Sequence, residues 1–139
     1  MENEEYSQFI EENIIKLNEY RNKFSLSIPF IIQNNSFNEA LYYLSLSNKA
    51  TELIDGYILM MEDKNLTCLA ILLRVQLDNC MRALSGSIVE DKETYFSNFR
   101  DPKIRLNKMK DVNGKKLTDS NLRKYLNAYD DSFGKTYAL

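Results

Sequence analysis

Histidine and tryptophan are missing from this chain, and glycine (4), proline (2) and cysteine (2) are scarce among its 139 residues. Each shortage removes a class of explanation. Without histidine, the side chain that most often exchanges protons near neutral pH is gone. The Ser-His-Asp and Cys-His triads go with it. Zinc sites that use imidazole are excluded, and two cysteines cannot supply four thiolates. The Glu-x-x-His pairs of ferritin-like di-iron bundles are absent. Asn113-Gly114-Lys115-Lys116 lacks the first glycine and the spacing of a P-loop. No metal site or cofactor pattern remains, and a stand-alone enzyme is disfavoured. Few glycines and prolines also argue against a turn-rich β architecture.

Long hydrophobic runs are lacking too. The longest, Cys68–Leu73, is broken by Arg74 and is far too short to cross a bilayer. The MENEEY start is acidic where a signal peptide would be basic. We therefore expect a cytoplasmic protein with no membrane role. Cys68 and Cys80 fall on one predicted helix, about 18 Å apart along its axis. A disulfide needs Cα atoms within about 7 Å, so both read as small core residues.

What the chain does contain is helical patterning. The segment Leu66–Gly86 (LTCLAILLRVQLDNCMRALSG) is apolar around most of a helical wheel. Arg74, Asp78 and Arg82, with Thr67 and Ser85, fall in one narrow polar stripe. So wide an apolar arc predicts a central, largely buried helix. The stripe is then either its one water-facing strip or a charged pair in a groove between helices, where an arginine fork suits phosphate or carboxylate.

Apolar positions Tyr6, Phe9, Ile10, Ile14, Leu17, Tyr20 and Phe24 mark a first helix. Pro29 predicts its end or a kink, with SIPFII as a short connector whose Phe30, Ile31 and Ile32 plug the core. Ser36-Phe-Asn-Glu39 is a capping-box pattern opening a long second helix. Asp63-Lys64-Asn65 is a short break that returns the next helix antiparallel. Gly86 is read as that helix's C-terminal stop. Shorter elements follow: Tyr95–Phe99 before Pro102, a turn over Ile104–Met109, an Asn113-Gly114 turn, and a helix capped by Thr118 or Asp119. The expected fold is all-α: a single antiparallel helical bundle over 1–139, with two long central helices and several shorter C-terminal ones.

Charge is unevenly placed. Glutamates dominate the first twenty residues, whereas Arg100–Lys124 carries nine basic residues against three aspartates. That asymmetry suits an anionic partner or two mutually attracting ends. On the last predicted helix Tyr125, Tyr129, Phe133 and Tyr137 recur every fourth residue beside Arg123, Lys124 and Lys135. Such a stripe is either core or a stacking platform for single-stranded nucleic acid. The pattern stops mid-stripe at Leu139, which leads us to expect a helix ending there or a shortened form of something longer. Tyr42, Tyr43 and Leu46 lie off the main apolar stripe of the second helix and suggest an exposed patch for a partner.

The motif ILLRVQLDNCMRAL, with an arginine followed four residues later by an acid, and the closing YLNAYDDSFGKTYAL resemble bacterial HEPN-like domains of abortive-infection and toxin–antitoxin systems. The resemblance spans residues 36–139. Active members cleave RNA with an arginine and a histidine on a late helix. Arg74 and Asp78 match the family's polar pair on the earlier helix, and no position matches the catalytic pair. The resemblance implies an incomplete or non-catalytic module binding RNA or a protein partner, with Arg74, Asp78, Arg82, Arg123 and Lys124 as candidate binding residues. The competing expectation is a helical self-assembly or adaptor protein with no nucleic-acid role. Both fit a homo-oligomer.

Overall fold

The computed structural model describes residues 2–130. Its elements are α1 (Glu2–Asn34), α2 (Phe37–Glu62), α3 (Leu66–Ile88), α4 (Lys92–Asn98), a 3-10 turn at Leu106–Lys108 and α5 (Asp119–Tyr129). The fold is an all-α helical bundle. Local chemistry sets most of the boundaries. The Asn34 and Asn35 amides donate to the Phe30 and Ile31 carbonyls at 2.9 Å, serving two acceptors that the end of α1 leaves open. Ser36 Oγ then accepts from Glu39 N–H and starts α2. Lys64 takes a left-handed φ of 55° between α2 and α3, and Asn65 caps α3 through Cys68 N–H. So short a turn makes the two helices antiparallel. Asp91 caps α4, and the Thr94 hydroxyl and N–H together hold its carboxyl below the usual range. Thr118 caps α5.

Pro29 does not break the first helix. α1 runs through it as one element, so the expected SIPFII connector does not form. Pro29 leaves the Ser25 carbonyl without its helical donor, but most side chains from Ser25 to Phe30 are exposed and water can serve that carbonyl. Phe30 and Ile32 consequently point outward rather than plugging the core, and Ile31 is half-buried.

The expectation that α3 is the buried centre also fails. α2 is the middle helix, packed against α1 on one side and α3 on the other. The first half of α3 is peripheral, with Leu66 and Ile71 mostly exposed. Cys68 is half-buried and Cys80 is exposed, so Cys80 is not the core residue expected; both are free thiols.

The main buried cluster lies at one end, while Ala50, Ile54 and Met61 are buried further along α2. Tyr42, Met81, Val89, Tyr95, Phe96, Leu117 and Leu122 form that cluster, drawn from α2, the second half of α3, α4, the 109–117 loop and α5. Tyr42 was expected on an exposed patch; it is 4% exposed, and Tyr43 and Leu46 pack against the same cluster. The ring of Tyr42 needs bare backbone opposite, which Gly86 provides. A Cβ at Gly86 would lie 2.7 Å from Tyr42 Cε1. Gly86 is therefore a packing residue inside α3 and not its stop. The helix runs on to Ile88, where Val89 turns extended and bridges to Asp111. Buried Asp111 shapes the next turn, accepting from Asn113 N–H at 2.8 Å and Lys115 N–H at 3.0 Å, while Gly114 supplies the φ of 78°.

Away from that end the molecule is a thin layer. α1 contributes no residue to the core cluster. It packs along α2, and a partly exposed, two-pronged pairing of Arg21 with Asp55 crosses that contact, Nε to Oδ1 at 2.8 Å and Nη2 to Oδ2 at 3.3 Å. Between α1 and α3, over α2, lies an apolar groove with cavities of about 270 and 180 Å³ that share Gln76 as a lining residue.

Gly86→Ala should cost about 1–3 kcal/mol through overpacking, and alanine's helix advantage of about 1 kcal/mol offsets part of it, for a net loss of up to about 2 kcal/mol. Urea unfolding should show a lower midpoint at unchanged slope. A midpoint equal to or above that of the parent chain would refute the Tyr42–Gly86 contact.

Candidate functional site

The polar residues of α3 do not act as one strip. Ser85 is buried, with Oγ 3.0 Å from Tyr95 Oη, which lies 2.8 Å from Tyr42 Oη. Tyr42 donates in turn to the Arg82 carbonyl. Burial, with the neighbouring Tyr95, pushes the Tyr42 phenol far above its ordinary range. It stays neutral at physiological pH and donates to the Arg82 carbonyl as part of the packed core.

Arg82 reaches outward from the same turn. Its guanidinium pairs with Asp119 at the start of α5, the two side chains being 35% and 58% exposed. Asp78, Arg82 and Asp119 border an open concavity of about 520 Å³ with Ile104, Leu106 and Asn107. Two carboxylates face one guanidinium there, so this concavity does not favour an anion. Arg74, one turn before Asp78, is exposed and does not line it.

Positive charge collects instead on the far side of α5. The turn built by Asp111 carries Lys115 and Lys116 back toward the helix, where three lysines and the one carboxylate of Asp111 share a concavity of about 240 Å³, Lys124 joining them with Asn121 and Tyr125. Asn121 secures the approach by donating to the Lys116 carbonyl at 2.8 Å. Arg123 and Lys124 line an adjoining hollow of about 180 Å³ with Ser120 and Asn127. Among the described residues, no salt bridge engages Lys115, Lys116 or Lys124. Tyr125 is half exposed and Tyr129 is 91% exposed. Leu122 and Leu126 take the core-facing positions of α5, so these two tyrosines are not core. Phe133 and Tyr137 lie outside the described residues.

The structure thus brings Lys124 together with Lys115 and Lys116, leaves Arg123 in the adjoining hollow, and places Asp78 and Arg82 in a separate concavity that Arg74 does not line. Tyr125 belongs to the aromatic stripe read from the sequence, whereas Lys115 and Lys116 are not among the candidate binding residues. Their signal was the Asp-x-Asn-Gly turn, which folds the lysines back along the helix that Thr118 starts. Among the described residues no group of His, Cys, Asp or Glu side chains could hold a metal ion, and no helix is long and apolar enough to cross a membrane. Comparison with family models, curated proteins and solved structures finds no match.

Arg82 and Asp119 are both partly exposed, so a double-mutant cycle with Arg82→Gln and Asp119→Asn should give a coupling below about 1 kcal/mol. A coupling of several kcal/mol would mean that the pair is desolvated and anchors α5.

Proposed function

We propose that this chain is a non-catalytic, HEPN-like helical binding module. In this reading it holds single-stranded RNA on the basic face of α5, in the cytoplasm, in a bacterial defence or toxin–antitoxin setting. The observation that carries the reading is the convergence of Lys115, Lys116 and Lys124 around Asn121 and Tyr125, with Tyr129 exposed one turn further on.

Ammonium groups neutralise phosphates without reading sequence. An exposed phenol offers a flat face on which any base can stack. Asn121 has an amide within the same concavity to meet a base edge or a 2′-hydroxyl. Arg123 extends the cationic surface around the helix. Arg82 contributes to the fold through Asp119 and lies outside the RNA face.

Fluorescence anisotropy with a single-stranded oligonucleotide across a salt series tests this. Each phosphate contact contributes about 0.7 to the slope of log affinity against log salt for single strands. The triple variant Lys115→Gln/Lys116→Gln/Lys124→Gln should therefore flatten that slope by about 2. Tyr125→Ala should cost about 1–3 kcal/mol per stacked base, with the salt slope unchanged. Affinity that is indifferent to salt, or undiminished in the triple variant, would overturn the RNA reading.

The second reading is a helical self-assembly or adaptor protein. It draws support from large apolar side chains left exposed along α1, among them Leu26 and Phe30.

A further inference from the structure

The concavity beside α5 is a built hollow as well as a charged face. The Asp111 turn forms one side, and Leu117 and Leu122, each 1% exposed, underlie it. Asp111 Oδ1 accepts from the Asn113 and Lys115 N–H groups, and Asn121 Nδ2 donates to the Lys116 carbonyl. These hydrogen bonds fix where both lysines leave the backbone, and Lys124 enters from α5. Pockets for drug-sized ligands run to about 300–1,000 Å³. At about 240 Å³ this hollow has room for one nucleotide unit and not for a length of strand.

Its charge exceeds what one internal phosphate supplies. Among the described residues Lys115, Lys116 and Lys124 make no salt bridge, and Asp111 is the single carboxylate lining the hollow with them. Three ammonium groups against one carboxylate leave two positive charges to be matched. A phosphodiester within a strand carries one negative charge. A phosphomonoester carries about 1.5–2 at pH 7, because its second pKa is about 6, and it presents three acceptor oxygens. It therefore matches the hollow in charge and gives each ammonium group an oxygen of its own. Ile88, Ala128 and the half-exposed ring of Tyr125 give the same hollow an apolar side, which suits the flat face of a base.

We infer that this hollow is a site for a nucleoside phosphomonoester, with Lys115, Lys116 and Lys124 on the phosphate and the base stacked on Tyr125. Resting on the RNA reading, this places the phosphorylated end of a strand in the hollow. The following nucleotides then leave past Tyr129, which is 91% exposed one turn further along α5. RNA is held by its end in this arrangement, and the third lysine charge falls to the adjoining diester.

Anisotropy titrations test this with one internally labelled RNA sequence carrying a 5′-phosphate, a 3′-phosphate or hydroxyls at both ends. A free nucleoside monophosphate serves as competitor. A phosphate at one end should tighten binding roughly tenfold, the low end of what a hydrogen bond to a charged group contributes. The end that does so gives the direction of the strand. The gain should shrink as pH falls from about 7.5 to about 5.5, where the monoester takes up its second proton. The chain has no histidine to mimic that dependence. Lys115, Lys116 and Lys124 are exposed, so Lys115→Gln/Lys116→Gln/Lys124→Gln keeps the fold. In that variant phosphorylated and hydroxyl-ended strands should bind alike. Equal affinity of the parent chain for both kinds of strand overturns the inference and leaves the RNA reading standing. A preference for the phosphorylated end that survives in the triple variant overturns it equally. Binding of the nucleoside monophosphate with no strand bound keeps the phosphomonoester site and overturns the RNA reading. No binding of strand or nucleotide at low salt overturns both.

Discussion

The Tyr42 ring lying against the bare backbone of Gly86 is the contact on which the packed end of this molecule is built. Four further aromatic rings surround Tyr42 edge-on, with centroid distances of 5.1 Å to Phe99, 5.2 Å to Phe96, 5.4 Å to Tyr95 and 5.5 Å to Tyr43. Each such pair is worth about 0.5–1.5 kcal/mol beyond its area. The hydroxyl meets the Arg82 carbonyl and Tyr95, so the ring is held at its polar tip as well as its faces. One side chain thereby joins α2 to α3 and α4. Once α4 is placed, the chain can bring Val89 beside Asp111 and set α5 against the second half of α3.

This leaves the molecule unequal along its length. Where α4, the 109–117 loop and α5 cover α3, side chains are fully enclosed. Where they do not, α1, α2 and α3 form a layer one helix deep with a groove along it. Few buried contacts mean a low local opening free energy. The placement of the basic face and of the apolar groove follows from this division. The basic face rides on α5, whose position the core secures. The apolar groove lies where no further element of the described chain has closed the bundle.

Features governed by neighbours three or four residues away could be read from the sequence. Ser36 and Thr118 cap their helices, Asp63-Lys64-Asn65 turns the chain, and Gly114 takes the turn conformation, because each depends on local hydrogen bonds or on one backbone angle. The number and order of the helices, and so the fold class, follow from those signals. Features decided by tertiary contact could not be read. Pro29 suggested a break because the proline rule describes a cost, and an exposed helix can bear it. Gly86 resembled a stop because glycine at a helix end and glycine under a ring look alike in sequence.

The polar stripe of α3 shows the same limit at the candidate site. Thr67, Arg74, Asp78, Arg82 and Ser85 share one side of a helical wheel, yet Ser85 is enclosed, Arg82 is half covered by α5, and Arg74 is exposed. A wheel assumes uniform surroundings along the axis, and α3 is covered over only half its length. Arg123 and Lys124 were identifiable as basic residues on a capped helix. Lys115 and Lys116 required knowing that the Asp111 turn folds them back onto it.

Native-state hydrogen exchange, followed residue by residue at the lowest workable protein concentration, tests this unequal construction most directly. The account predicts that amides of Met81–Ile88 and of Tyr95 and Phe96 exchange only by global unfolding. Those of α1 should exchange through a much smaller, local opening. Equal protection of α1 and the second half of α3 under those dilute conditions would contradict it.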